Sequence, residues 1–218
     1  MEIFRAFLAC LVCSGVGAWT GDLIGRRDML SAVGGASIST AFLLSSPATA
    51  AEPLALETFK DPTTGISVKV PSKWTSSIQQ LPDRREINVW IDPNDTKSLV
   101  FIAFTPMRDD FTSLGSFGSV EQVAAQTILP KGKLSGVDVE AKMLSAVSAK
   151  QSYVFDYLQT VPNIQPTTHF RTIFTLLQGA TGGAGAVLVT VTAQTPEERY
   201  QGELRGAFDD IIGSFSKA

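Results

Sequence analysis

The chain is poorest in the residues that carry out chemistry. Its two cysteines, Cys10 and Cys13, both lie near the start of its 218 residues. Everything after them lacks thiols, which excludes disulfides, thiolate metal sites and cysteine nucleophiles there. His169 is the one histidine. A Ser-His-Asp triad also needs an oriented serine, often on a G-x-S-x-G turn, and the sequence has no such turn. The acids come as neighbours, Asp109-Asp110 and Asp209-Asp210. Adjacent residues on a helix do not face each other, so these read as solvated charges and not as a proton-sharing dyad. The net charge of −3 leaves no basic footprint for nucleic acid and no polybasic patch for anionic lipid. Beyond residue 51 no apolar run reaches the roughly 20 residues of a membrane span. Internal repeats and low-complexity linkers are also missing.

What the chain does have is two addresses in series. Met1 to Ala18 holds an early cation, Arg5, the apolar run Ala6 to Val12, and Val16-Gly17-Ala18 as a small-x-small cleavage site. That is the pattern of a secretory signal. The second runs from Gly25 to Ala51. Arg26-Arg27 precedes an uncharged run from Met29 to Leu44, and Ala48-Thr49-Ala50 closes it. A paired arginine ahead of an export signal marks the twin-arginine route. A transmembrane anchor is the alternative, but this run is short and rich in Gly, Ser and Ala. A bacterial lipoprotein is another; Phe7-Leu8-Ala9-Cys10 makes a poor lipobox and leaves the arginines unexplained. Two export signals suit a plastid enclosed by secretory membranes. The expected division is a secretory-type signal at 1–18, a short transit segment with a twin-arginine thylakoid signal at 19–50, and one domain at 51–218. The junction Ala18-Trp19 resembles that of algal complex-plastid presequences, so the expected address is the thylakoid lumen of a complex plastid.

The domain reads as alternating strands with two helices. Leu56 to Lys60 is a short strand, and Asp61 to Gly65 a turn. Ile66, Val68 and Val70 alternate with polar residues, and Pro71 ends the strand. Trp74 is expected to plug the core. Ile87, Val89 and Ile91 alternate again. Asp92-Pro93-Asn94-Asp95 offers oxygen ligands, but an EF-hand counted from Asp92 needs Gly and Glu where Lys97 and Ala103 stand, so it reads as a hairpin turn. Ser98 to Thr105 is a more apolar strand. Ser119 with Gln122 forms a capping box ahead of Val120, Val123, Ala124, Thr127 and Ile128, and Pro130 stops that helix. Strands follow at Met143 to Val147, Tyr153 to Thr160, His169 to Gln178 and Ala186 to Ala193. The tip 179–185 matches no phosphate-binding pattern. Thr195, Pro196 and Glu198 predict a capped terminal helix, whose stripe is Tyr200, Leu204, Phe208, Ile211 and Phe215. The fold class is α+β, with helices on the faces of an antiparallel sheet.

Several stretches then resemble the PsbP family, the lumenal proteins of the photosystem II oxygen-evolving complex and their relatives. Val70-Pro71-Ser72-Lys73-Trp74 matches the family's VPSKW. Leu114 to Val123, Gln151 to Asp156, His169, Ala193 to Tyr200 and Ser214-Phe215-Ser216 follow in the family's order. The resemblance implies an α-β-α sandwich on a mainly antiparallel sheet. It implies a non-enzymatic extrinsic subunit that helps retain calcium and chloride, or an assembly factor. Photosystem II lumenal subunits would be its partners, at the thylakoid surface. A photosystem I assembly factor is the alternative, with a lumenal hydrolase using His169 behind it. Plant oxygen-evolving members carry a longer arm before the first strand, which points here to a PsbP-domain relative. In some members the matching histidine and acid hold a divalent ion. His169 and Glu197 are therefore the expected metal ligands, for zinc or manganese, in an open two-ligand site. A histidine bonded to a carboxylate, with Glu197 favoured by the helix dipole, is the other reading.

Overall fold

The computed structural model describes residues 53–217, apart from 82–83, 109, 135 and 180–184. Both leader signals, their cleavage sites, Asp109 and most of the glycine tip lie outside the described residues.

The chain opens with a hairpin, β1 (Leu56–Lys60) and β2 (Ile66–Pro71), paired antiparallel. Asp61 makes the turn. Its carboxylate accepts from the Thr64 N–H at 2.6 Å, and Gly65 takes a φ of 71°. Ile66, Val68 and Val70 are each 1% exposed, so the alternation does mark a buried face. A short last strand, β12 (Ser216–Lys217), joins β2 to make a three-stranded sheet.

The main sheet has seven strands in the order β3-β4-β5-β11-β10-β9-β8. They are β3 (Thr75–Gln80), β4 (Glu86–Asp92), β5 (Asp95–Met107), β8 (Glu140–Ala149), β9 (Ser152–Val161), β10 (Gln165–Gln178) and β11 (Ala186–Pro196). Every pairing is antiparallel. β6 (Lys133–Leu134) and β7 (Val137–Asp138) form a separate two-residue ladder. β11, the last long strand, lies between β5 and β10.

Two helices cover the sheet. α1 starts as Val120–Val123 and continues as a wider π turn, Ala124–Ile128. The capping box forms: Ser119 N–H donates to Gln122 Oε1 at 2.9 Å, and Gln122 N–H to Ser119 Oγ at 3.3 Å. Val123, Ala124 and Ile128 pack with Tyr153, Phe155, Tyr157, Phe170 and Phe174. Tyr153, Phe155 and Tyr157, which fall at spacing two on β9, thus belong to the core. α2 comprises Glu197–Arg199, a π turn Tyr200–Leu204 and Arg205–Gly213. Tyr200, Leu204, Phe208 and Ile211 pack with β2, Trp74 and the central strands on the opposite face. The result is a mainly antiparallel sheet with a helix on each side. Among the described residues no helix is long and apolar enough to cross a membrane.

Four sequence expectations change. β4 is not half-buried: Ile87 and Val89 join one apolar cluster, while Trp90 joins the cluster on the other face. β10 begins at Gln165, inside the expected connection, with a register irregularity between Gln165 and Thr168 that accommodates Pro166. Thr195 does not cap α2. It stays in β11 opposite His169, and its hydroxyl meets Ser98 Oγ at 2.6 Å in a fully buried position. Pro196 takes the cap position without a side-chain bond. The fourth is β3, a strand of the sheet where no strand was expected.

Candidate functional site around His169

Strand alternation sets the site. On β10, His169, Arg171 and Ile173 point to the face covered by α2, while Phe170 and Phe174 point to α1. Asp156 on β9 is opposite Arg171, and Thr195 on β11 is opposite His169. Two residues after Thr195 the chain turns into α2, which brings Glu197 to one edge of the imidazole and Tyr200 over its face.

His169 is 2% exposed and lies between two carboxylates. Nδ1 and Glu197 Oε2 share a hydrogen bond of 2.5 Å. Nε2 and Asp156 Oδ1 are 2.7 Å apart, but their angles are wrong for a bond, so both atoms are buried without a partner. The Tyr200 ring stacks on the imidazole, with centroids 3.5 Å apart and planes 14° apart. Arg171 closes the far side. It donates to the Tyr200 hydroxyl at 3.1 Å and to Asp209, while its Nε lies 3.5 Å from Asp156 without a hydrogen bond. Burial opposes the Arg171 charge. The Tyr200 bond and the carboxylates of Asp156 and Asp209 outweigh it and hold the guanidinium above its usual range. Burial also raises the Tyr200 phenol, with Arg171 acting against it. Asp209 is therefore an ion-pair partner and not merely a solvated acid.

A second polar cluster sits on the other side of the β11–α2 junction. Arg199 donates to Asp92 at 2.9 Å, to Asp95 at 3.0 Å and to Ser98 Oγ at 3.0 Å, and pairs with Glu203 at 2.6 Å. The other oxygens of Asp92 and Asp95 accept the Asn94 and Lys97 N–H groups. These carboxylates are engaged by Arg199 and by the N–H groups of their own turn. The hairpin reading of Asp92 to Asp95 holds. Burial acts to raise the Asp95 carboxyl, but its bonds to Ser98, Arg199 and the Lys97 N–H prevail and hold it below its ordinary range.

The structure thus brings His169 and Glu197 together as the sequence suggested. Sequence reasoning missed Asp156, Arg171 and Asp209 as their neighbours. Spacing-two from His169 to Arg171 was the available signal; Asp156 enters only through cross-strand register. Among the described residues no group of three or more His, Cys, Asp or Glu side chains is arranged to hold a metal. Asp156 and Glu197 approach opposite ring edges, so they do not converge on one point.

With that geometry in place, relatives can be compared. The PsbP family profile matches residues 55–217. The chain belongs to the PsbP family. Among curated proteins, PsbP domain-containing protein 3, chloroplastic, from Arabidopsis thaliana is 29% identical over 178 residues, covering 79% of this chain and 70% of that protein. Among solved structures, cyanobacterial PsbP (CyanoP) from Synechocystis sp. PCC 6803 superposes with a TM-score of 0.54 at 17% identity, over 80% of this chain and 99% of that one. That likeness shows the PsbP fold.

Proposed function

We propose that this protein is a non-enzymatic extrinsic protein of the thylakoid lumen that supports photosystem II. Its work is at the oxygen-evolving complex, through calcium and chloride retention, or in photosystem assembly. The observation that carries this reading is the family match across residues 55–217. PsbP membership supports a photosystem-related role, and family members are generally non-enzymatic. The site agrees with a non-catalytic role. His169 faces a carboxylate at each nitrogen, so neither edge is directed at a nucleophile. The chloroplastic relative and the two leader signals support the plastid lumen as the address. A high-salt wash of thylakoids tests the function. The protein should come off together with oxygen-evolving activity. Co-migration with photosystem I intermediates would favour photosystem I assembly, and an esterase activity lost in His169→Ala would favour a hydrolase.

A weak divalent-ion site at His169 and Glu197 is the second reading, supported by the 2.5 Å approach of Nδ1 to the carboxylate. Zinc or manganese would be held there by the His169 imidazole and the Glu197 carboxylate, in place of the proton they share. Calorimetric titration with Zn²⁺ and Mn²⁺ checks it. Binding that is lost in His169→Ala supports the site, and a wild-type protein that binds neither ion removes it.

A further inference from the structure

The two edges of the main sheet are finished differently. β8 carries a bulge between Met143 and Ser145, with Glu140 and Lys142 nearby. Bulges and charges are the usual devices that keep an edge strand from pairing with another chain. β3 has neither. Its register with β4 runs unbroken from Thr75↔Ile91 to Gln80↔Glu86. Its six residues, TSSIQQ, include no charge, proline or glycine, and all are exposed. Ile78, at 69%, is the most exposed large hydrophobic among the described residues.

We propose that β3 is a self-pairing edge, through which two copies of this chain join antiparallel about a twofold axis at Ile78. A twofold contact needs a surface complementary to itself. Centred on residue 78, the pairing sets Ile78 against Ile78 of the second copy, Ser77 against Gln79, and Ser76 against Gln80. The one apolar side chain the strand exposes is covered by its own equivalent. Elsewhere hydroxyls meet amides, and no charge is left unpaired. A strand without charge offers nothing to a partner selected by charge, whereas it suits a copy of itself. The backbone ladder continues from one sheet into the other. Two six-residue strands bury far less than the roughly 1,000 Å² of a stable interface, so the association is weak and reversible.

Sedimentation equilibrium on the chain from Ala51 onward tests this; all three apolar clusters lie within residues 54–215. The expected result is a monomer–dimer equilibrium between about 10 μM and 1 mM, the range of a weak interface. Ile78→Lys should remain monomeric throughout with an unchanged melting temperature, because the side chain is exposed. Cross-linking reads the register, since residues 51–218 contain no cysteine. Opposed residues in an antiparallel pair are about 4.5–5.5 Å apart at Cα, within disulfide reach. Ile78→Cys should therefore oxidise to a covalent dimer at least about 10-fold faster than Ser76→Cys, whose equivalent lies four residues away, roughly 13 Å. Three outcomes would overturn the proposal: a wild-type monomer up to about 1 mM, equal cross-linking rates, or a dimer that survives Ile78→Lys.

Discussion

Arg199 and His169 anchor two polar clusters on either side of the place where β11 becomes α2, and the two are satisfied to different degrees. Around Arg199 the guanidinium meets Asp92, Asp95, Ser98 and Glu203 with bonding geometry. Around His169 three buried atoms have no aligned partner: Asp156 Oδ1, His169 Nε2 and Arg171 Nε. Buried polar groups are nearly always bonded, because an unmade bond costs about 1–3 kcal/mol. The first cluster therefore behaves as a latch tying the β4–β5 turn to the helix. The second is held by the Glu197 bond, the Tyr200 stack and the Arg171–Asp209 pair, with Asp156 close to both His169 and Arg171 but not aligned with either.

Breaking the latch should have the largest effect. Arg199→Met leaves Asp92, a buried acid, without its cation. Loss of one partner from a buried ion pair costs about 3–5 kcal/mol, discounted here to about 3 because Arg199 is partly exposed. A fall in melting temperature of about 6–12 °C should show by calorimetry. Acid should reproduce part of that loss. The folded Asp95 carboxyl is held below its ordinary 3.8, so its contribution is present above that pH and is lost as pH falls through the lower folded value. Urea midpoints measured from pH 5 downward should fall more steeply in the wild type than in Arg199→Met. The smallest change is expected at the other cluster. Asp156→Asn removes one carboxylate beside His169 and Arg171, but His169 keeps its bond to Glu197 and Arg171 keeps Asp209 and Tyr200, so stability should fall by only about 1 kcal/mol. A loss as large as that of Arg199→Met would show that the two clusters are equivalent after all.

Legibility followed the range of the interactions. The β2 alternation at Ile66, Val68 and Val70, the capping box at Ser119 and the stripe from Tyr200 to Ile211 depend on neighbours within a few residues, and each appears where expected. β3 was not legible, because TSSIQQ buries neither face and so carries no apolar period. Thr195, Pro196 and Glu198 form a local helix-start pattern, yet a long-range bond to Ser98 kept Thr195 in the strand. At the site, the meeting of His169 with Glu197 followed from an antiparallel pair of strands. The approach of Asp156 and Arg171 did not, because it needs the β9–β10 register, which a single residue's slip would have changed.

The position of β11 has a consequence for how the molecule comes to exist. The strands before it form two blocks, β3-β4-β5 and β10-β9-β8, and nothing joins them within the sheet until residues 186–196 fill the gap. A nascent chain lacking those residues holds two half-sheets with facing unpaired edges. Closure of the main sheet therefore comes late in synthesis, and the β5–β11 pairing that completes it spans the greatest sequence separation in that sheet. Such non-local closure is slow. Any machinery that accepts only a finished domain must wait for this one strand.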